Sequence, residues 1–136
     1  MSGFALDPRL AADTRHVASL PLCDVRLMND TRFPWLVLIP RQADLVEVYD
    51  LAPAQQAQLW QEAERAAQAL RAVMPFDKLN LGALGNIVRQ LHLHVVGRRE
   101  GDAAWPGPVW GNGKAEPYEA GELTERIAAL GQVLGG

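Results

Sequence analysis

The chemistry in this chain is concentrated in one stretch, Gln90-Leu91-His92-Leu93-His94-Val95-Val96. Two of the three histidines lie there, two residues apart. Successive side chains of a strand point to opposite faces. Leu91, Leu93 and Val95 therefore share one face, and Gln90, His92 and His94 share the other. The pattern predicts a strand with its apolar face buried and a Gln-His-His row exposed, the imidazoles about 7 Å apart. A neutral imidazole is a competent nucleophile near pH 7 and also a metal ligand. Glutamine offers an amide donor and acceptor, but neither a cation nor a transferable proton. Zinc could use the two histidines, yet Cys23, Asp24 and His16 are scattered and supply no third and fourth ligand, so no metal or other cofactor is expected. His16, outside the stretch, reads as a surface or capping residue.

Several elements must position that row. Asp7-Pro8 opens a short helix, with Asp7 as cap and Pro8 at the first helical position, running to about His16 or Val17. Leu20 to Leu22 is a brief extended piece interrupted by Pro21. Cys23 to Asp30 alternates as a strand that ends in the turn pair Asn29-Asp30. Trp35-Leu36-Val37-Leu38-Ile39-Pro40 is continuously apolar, as in a central strand covered on both sides. Gln42 to Asp50 is a short helix or turn. From about Pro53 to just before Pro75, Leu59, Ala63, Ala66, Ala67, Leu70, Val73 and Met74 recur at spacings of three and four. They mark a long amphipathic helix that covers a sheet. Lys78 to Leu84 is a further strand, Gly85-Asn86 a turn, and the histidine strand runs on to Gly97-Arg98. Asp102 to Pro117 is an irregular ordered loop rich in Gly, Pro and Trp. A last helix from about Pro117 or Tyr118 to Leu134 carries Leu123, Ile127, Leu130 and Val133. The sum is an α+β domain over residues 1–136: an antiparallel meander of about five strands, one long helix across it and a C-terminal helix.

The composition narrows the function. The chain has 136 residues, 49% of them hydrophobic and 21% charged, with a net charge of −3. That suits one globular domain and gives no basic footprint for a nucleic-acid polymer or a membrane surface. A local site for a small phosphate ligand remains open. One cysteine excludes an internal disulfide framework and a multi-cysteine zinc site. No apolar run approaches the roughly 20 residues of a membrane span. The N-terminal residues show no basic-then-apolar signal, so the expected place is the cytoplasm.

The motif and its setting resemble the histidine triad (HIT) superfamily, whose pattern is His-φ-His-φ-His-φ-φ with φ apolar. Here Gln90 replaces the first histidine, while His92 and His94 match the second and third. The resemblance extends to Leu27-Met28-Asn29-Asp30, to Pro34 through Pro40, to Gly85-Asn86 where the family carries Gly-Gln, and to Trp105-Pro106 downstream. It covers roughly residues 20 to 110. It implies a homodimer that joins two sheets, and a purine nucleotide or nucleotide conjugate as ligand.

The resemblance also implies roles. His92 would attack the α-phosphorus of a nucleotide phosphoramidate, ester or anhydride, giving a nucleotidyl-histidine that water hydrolyses. A backbone carbonyl would hold its other ring nitrogen. His94 would donate to a non-bridging phosphate oxygen. Gln90 and Asn86 would join them in catalysis. Asn29 would contact the ribose, Asn80 and Asn86 the phosphate or leaving group, and Gly85, Trp35 and Trp105 would complete the nucleotide-binding set. Trp35 stands where many members carry histidine; with Gln90 it could form a compensating packed pair. Arg98 and Trp105 would line the leaving-group side. A binding module with weak turnover and a nucleotidyltransferase are the alternatives, separable by trapping a nucleotide on His92 and by analysing products with added phosphate acceptors.

Overall fold

A computed structural model describes residues 3–135. The first helix, α1 (Pro8–Asp13), is capped by Asp7, whose carboxylate accepts the Arg9 N–H at 2.8 Å. It is shorter than the sequence pattern predicts. The chain leaves it for strand β1 (Thr14–Ser19), which includes His16 and Val17. Here sheet pairing outweighs continued helix. β1 pairs antiparallel with β2 (Cys23–Met28), and the Thr14 hydroxyl closes the helix by donating to the Leu10 carbonyl at 2.6 Å. His16 is exposed, and the Leu20–Leu22 piece is a turn.

β3 (Trp35–Pro40) pairs with β2 and is buried at every position, as its apolar run predicts. A 3₁₀ turn at Val48–Asp50 leads into α2 (Pro53–Val73). β4 (Lys78–Gly82) and β5 (Leu93–Arg98) follow, and α3 (Ala120–Val133) closes the order. The sheet order is β1-β2-β3-β5-β4, antiparallel throughout. One feature departs from a plain meander: after α2 the chain reaches the outer position first, and β5 then turns back between β3 and β4.

α2 covers one face of the sheet. Its Leu59, Ala66 and Leu70 pack with Leu36, Leu38 and Val95 from β3 and β5, and Leu130 of α3 joins them. Glu62 is also buried there. Its carboxylate accepts the Leu22 and Cys23 N–H groups, both at 2.8 Å, and so satisfies the turn between β1 and β2. The Cys23 thiol is pushed well up by burial and by the neighbouring Glu62 carboxylate. The opposite face carries Phe33, Trp35, Val37, Ile39, Val96 and Val109, with Leu10 of α1 laid against them.

The histidine stretch is not one continuous strand. β5 begins at Leu93, so Gln90 and His92 precede it in a loop. The Leu91 N–H bonds to the Leu45 carbonyl at 3.0 Å instead of joining the ladder. Nor is the row exposed: His92 and His94 are each 6% accessible, with ring centroids 4.9 Å apart. Exposure fails because loops fold over that face. Among the described residues no helix is long and apolar enough to cross a membrane.

Candidate functional site

A cavity of about 710 Å³ opens on the face away from α2. That lies within the range of about 300–1,000 Å³ typical of small-molecule sites. Its walls come from α1, the end of β2, the start of β3, residues 84–88, the two histidines and the loop around Trp110. Strand register explains the centre. His94 lies across from Val37 on β3 and from Gly82 on β4, and Trp35 lies across from Val96. Trp35 is thus the diagonal neighbour of His94 on the same face, within reach of an aromatic side chain.

The two imidazoles are held in opposite tautomers. The Nδ1 of His92 lies 2.6 Å from the Gln90 main-chain oxygen. A carbonyl only accepts, so this Nδ1 carries a proton, and in the neutral ring the lone pair is on Nε2. The Trp35 indole N–H donates to His94 Nδ1 at 3.0 Å. An indole nitrogen only donates, so His94 Nδ1 carries the lone pair and Nε2 the proton. The site therefore sets a ring nitrogen with a free lone pair beside a ring N–H donor. Burial, and secondarily His92 beside it, push the His94 pKa down from 6.5 to about 3, so its ring is neutral over the physiological range.

The rest of the cavity is stitched together by polar ties. Asp30 is buried and accepts from the Arg32 guanidinium at 2.8 Å and from the Glu116 N–H at 3.2 Å. Burial raises its pKa, but the hydrogen bonds from Arg32 and Glu116 and the guanidinium charge outweigh that, leaving the carboxyl below its ordinary range. Arg32 also donates to the Asn112 carbonyl at 2.7 Å. Asn29 lines the cavity, and its Oδ1 accepts the Tyr118 N–H at 2.9 Å. Gly85 and Asn86 form part of the lip. Gly85 has φ +71°, the left-handed region that glycine enters without penalty.

Three expected contacts do not line the cavity. Asn80 accepts from Arg98 at 3.0 Å. Arg98 is buried and bidentate with Asp102 at 2.8 Å for each bond, and those hydrogen bonds pull the Asp102 carboxyl down to about 2. Trp105 sits over the Arg98 guanidinium at 5.6 Å. Asn80, Arg98 and Trp105 thus form a brace beside the site. Gln90 also stays out of the cavity, and its side-chain bonds and those of Trp35 run to different partners.

Two parts of the wall carry no signal of that role in the sequence pattern: Trp110 and the inward face of α1. Trp110 lies edge-on to His94 with centroids 5.5 Å apart. Its indole N–H is buried and without a hydrogen-bond partner among the described residues. Two tryptophans occur in the same glycine- and proline-rich loop, and nothing local distinguishes the one that turns inward. Arg9 and Asp13 of α1 line the cavity four residues apart, a spacing that places both on one helix face. Among the described residues no group of three His, Cys, Asp or Glu side chains converges as a metal site.

The chain belongs to the HIT domain family, whose model matches residues 9–101. Members of this family are nucleotide-binding hydrolases and transferases. The structure is similar to that of a histidine triad protein from Sinorhizobium meliloti 1021, with TM-score 0.93, 51% identity and coverage of 97% of this chain and 98% of that one. A histidine triad protein from Bradyrhizobium japonicum gives TM-score 0.92 and 46% identity, covering 96% of this chain and 98% of that one. One from Marinobacter aquaeolei VT8 gives TM-score 0.93 and 43% identity, covering 97% and 96%. Among curated proteins, none matches the sequence.

Proposed function

We propose that the protein is a nucleotidyl hydrolase of the histidine triad type, a variant with glutamine at the first triad position. It splits a purine nucleoside monophosphate from a phosphoramidate, ester or anhydride. The opposed tautomers of His92 and His94 carry this reading. His92 Nε2 attacks the α-phosphorus, and the bond to the leaving group breaks with its electron pair going to the leaving atom, which takes a proton from solvent. The ring then bears positive charge, which strengthens the Nδ1–H bond to the Gln90 carbonyl. His94 Nε2–H donates to a phosphate oxygen whose charge grows in the transition state. Water next attacks the phosphorus, the phosphorus–nitrogen bond breaks with its electron pair returning to Nε2, and water's proton passes to solvent, which leaves His92 neutral. In this reading Asn29, which lines the cavity, contacts a ribose hydroxyl, and Gly85 and Asn86, which line it too, meet the phosphate or leaving group.

A second copy of this chain is the partner that accompanies this reading. β4 is an outer strand of the sheet. Beside it lies an apolar groove that includes Trp60, Phe76, Leu79 and Leu81. An uncovered edge with apolar flanks favours pairing with another edge.

The test is hydrolysis of adenosine 5′-phosphoramidate by the purified protein beside His92→Ala. The expected result is turnover by the wild type and loss of at least about a thousand-fold in the variant. Adenosine monophosphate bound without turnover would make the protein a binding module. Neither turnover nor binding would remove the functional reading and leave the fold.

A further inference from the structure

Gln90 occupies the first triad position, yet its side chain turns away from the cavity. Its Nε2 donates to the Ala5 carbonyl at 2.8 Å. Its Oε1 accepts the Asp7 N–H at 2.9 Å. Both bonds reach a segment more than eighty residues earlier in the chain. That segment matters to the site. Asp7 caps α1, and α1 presents Arg9, Leu10 and Asp13 to the cavity. Leu6 packs against the cluster that contains Trp35. The main chain of Gln90 meanwhile supplies the oxygen that fixes His92.

We propose that Gln90 is a positioning residue that clamps the N-terminal segment, so that one residue sets both the α1 wall of the ligand cavity and the carbonyl that orients His92. The glutamine amide suits this task because it gives and accepts at once, matching a carbonyl and an N–H two residues apart on an irregular segment. A charged group at this position could not do both. The clamp makes the wall part of the binding site in advance of the ligand, which lowers the ordering cost of binding. It also assigns the missing histidine no duty at the phosphate. The inference rests on the reading of His92 as the nucleophile.

The experiment uses the full chain and three readouts: hydrogen exchange over residues 3–13, calorimetric binding of adenosine monophosphate, and steady-state hydrolysis of adenosine 5′-phosphoramidate. In Gln90→Ala, exchange over residues 3–13 should quicken while α2 is unchanged. The Kd and KM should rise about ten-fold, the scale of one or two lost neutral hydrogen bonds, with kcat falling less than KM rises. Gln90→Glu keeps the acceptor for the Asp7 N–H and loses the donor to Ala5. It should therefore recover part of the protection and part of the KM. A fall in kcat with exchange, Kd and KM unchanged would overturn the clamp and put the side chain at the reacting phosphate. No change in any readout would overturn it as well. A wild type without turnover would sink the hydrolase reading alone, because exchange over residues 3–13, with nucleotide affinity where binding is seen, still decides the clamp.

Discussion

The two faces of β5 are built by different rules. Leu93 and Val95 point toward α2, and Gly97 meets Phe76 on that side. Their partners come largely from one helix, at spacings of three and four residues. His94, Val96 and Arg98 point the other way. Their partners are segments that repeat nothing: the N-terminal piece with α1, the loop before β5, and the loop that carries Val109 and Trp110. The first face is held by apolar area and tolerates its neighbours' identities so long as volume is kept. The second adds to its apolar cluster a set of directional bonds, each needing one donor and one acceptor in place. A strand can thus carry stability on one side and chemistry on the other.

The separation can be broken from the helix side first. Leu70 is wholly buried on α2. Leu70→Ala should cost about 2–5 kcal/mol of stability, because the cavity left behind is only partly refilled. Turnover per folded molecule should not change. Denaturant unfolding and kcat on the same preparation check both halves. A loss of kcat beyond the unfolded fraction would show that the helix face also sets the site.

Acid titration sharpens the comparison from the other side. His94 has a folded pKa of about 3 against 6.5 for the free imidazole. Between those values the unfolded chain holds a proton that the folded chain refuses. Stability is therefore full above pH 6.5 and falls as pH drops toward 3, by at most ~1.4 kcal/mol per pH unit. Asp30 and Asp102 are held below the ordinary carboxylate value of 3.8, so their contributions persist until lower pH. Denaturant midpoints at pH values between 6.5 and 4.5 then report chiefly the imidazole. His94→Gln should flatten the slope there, whereas Leu70→Ala should lower the whole curve and keep its shape. An unaltered slope in His94→Gln would mean that the buried ring accepts a proton in the fold.

What was legible follows the same division. The α2 stripe, the continuous apolar run of β3 and the alternation of β2 are one-dimensional patterns, and each lies where the sequence puts it. The end of α1 is not legible in the pattern, because His16 and Val17 are compatible with either state and pairing with β2 decides. His92 and His94 were legible as residues but not as a buried pair, because burial comes from loops without periodicity. Asn80, Arg98 and Trp105 were expected at the site and instead brace one another. Their types fit a phosphate contact and a structural ion-pair network equally well, and only the contacts made in the fold tell which. Trp110 and the tie from Gln90 to Ala5 and Asp7 depend on contacts across much of the chain, which spacing does not encode.

The smallest test compares one added carbon on each face. A Cβ at Gly97 would collide with Phe76 Cδ2 and stand 2.5 Å from its Cγ, on the α2 side. A Cβ at Gly82 would stand 3.0 Å from Trp110 Cη2, on the cavity side. Phe76 must shift with its ring root, because its Cβ is also only 3.0 Å away, so Gly97→Ala should cost about 1–3 kcal/mol and leave KM alone. Trp110 meets the new carbon with the outer edge of its ring and can tilt by a few tenths of an ångström. Gly82→Ala should therefore cost under about 1 kcal/mol. The tilt, however, passes to the ring that flanks His94, and KM for the phosphoramidate should rise a few-fold. Thermal melts and steady-state kinetics on the two variants separate the faces by a difference of one methyl group. If Gly82→Ala loses stability with KM unchanged, Trp110 is packing rather than wall, and the cavity face is built more like the helix face than its polar ties suggest.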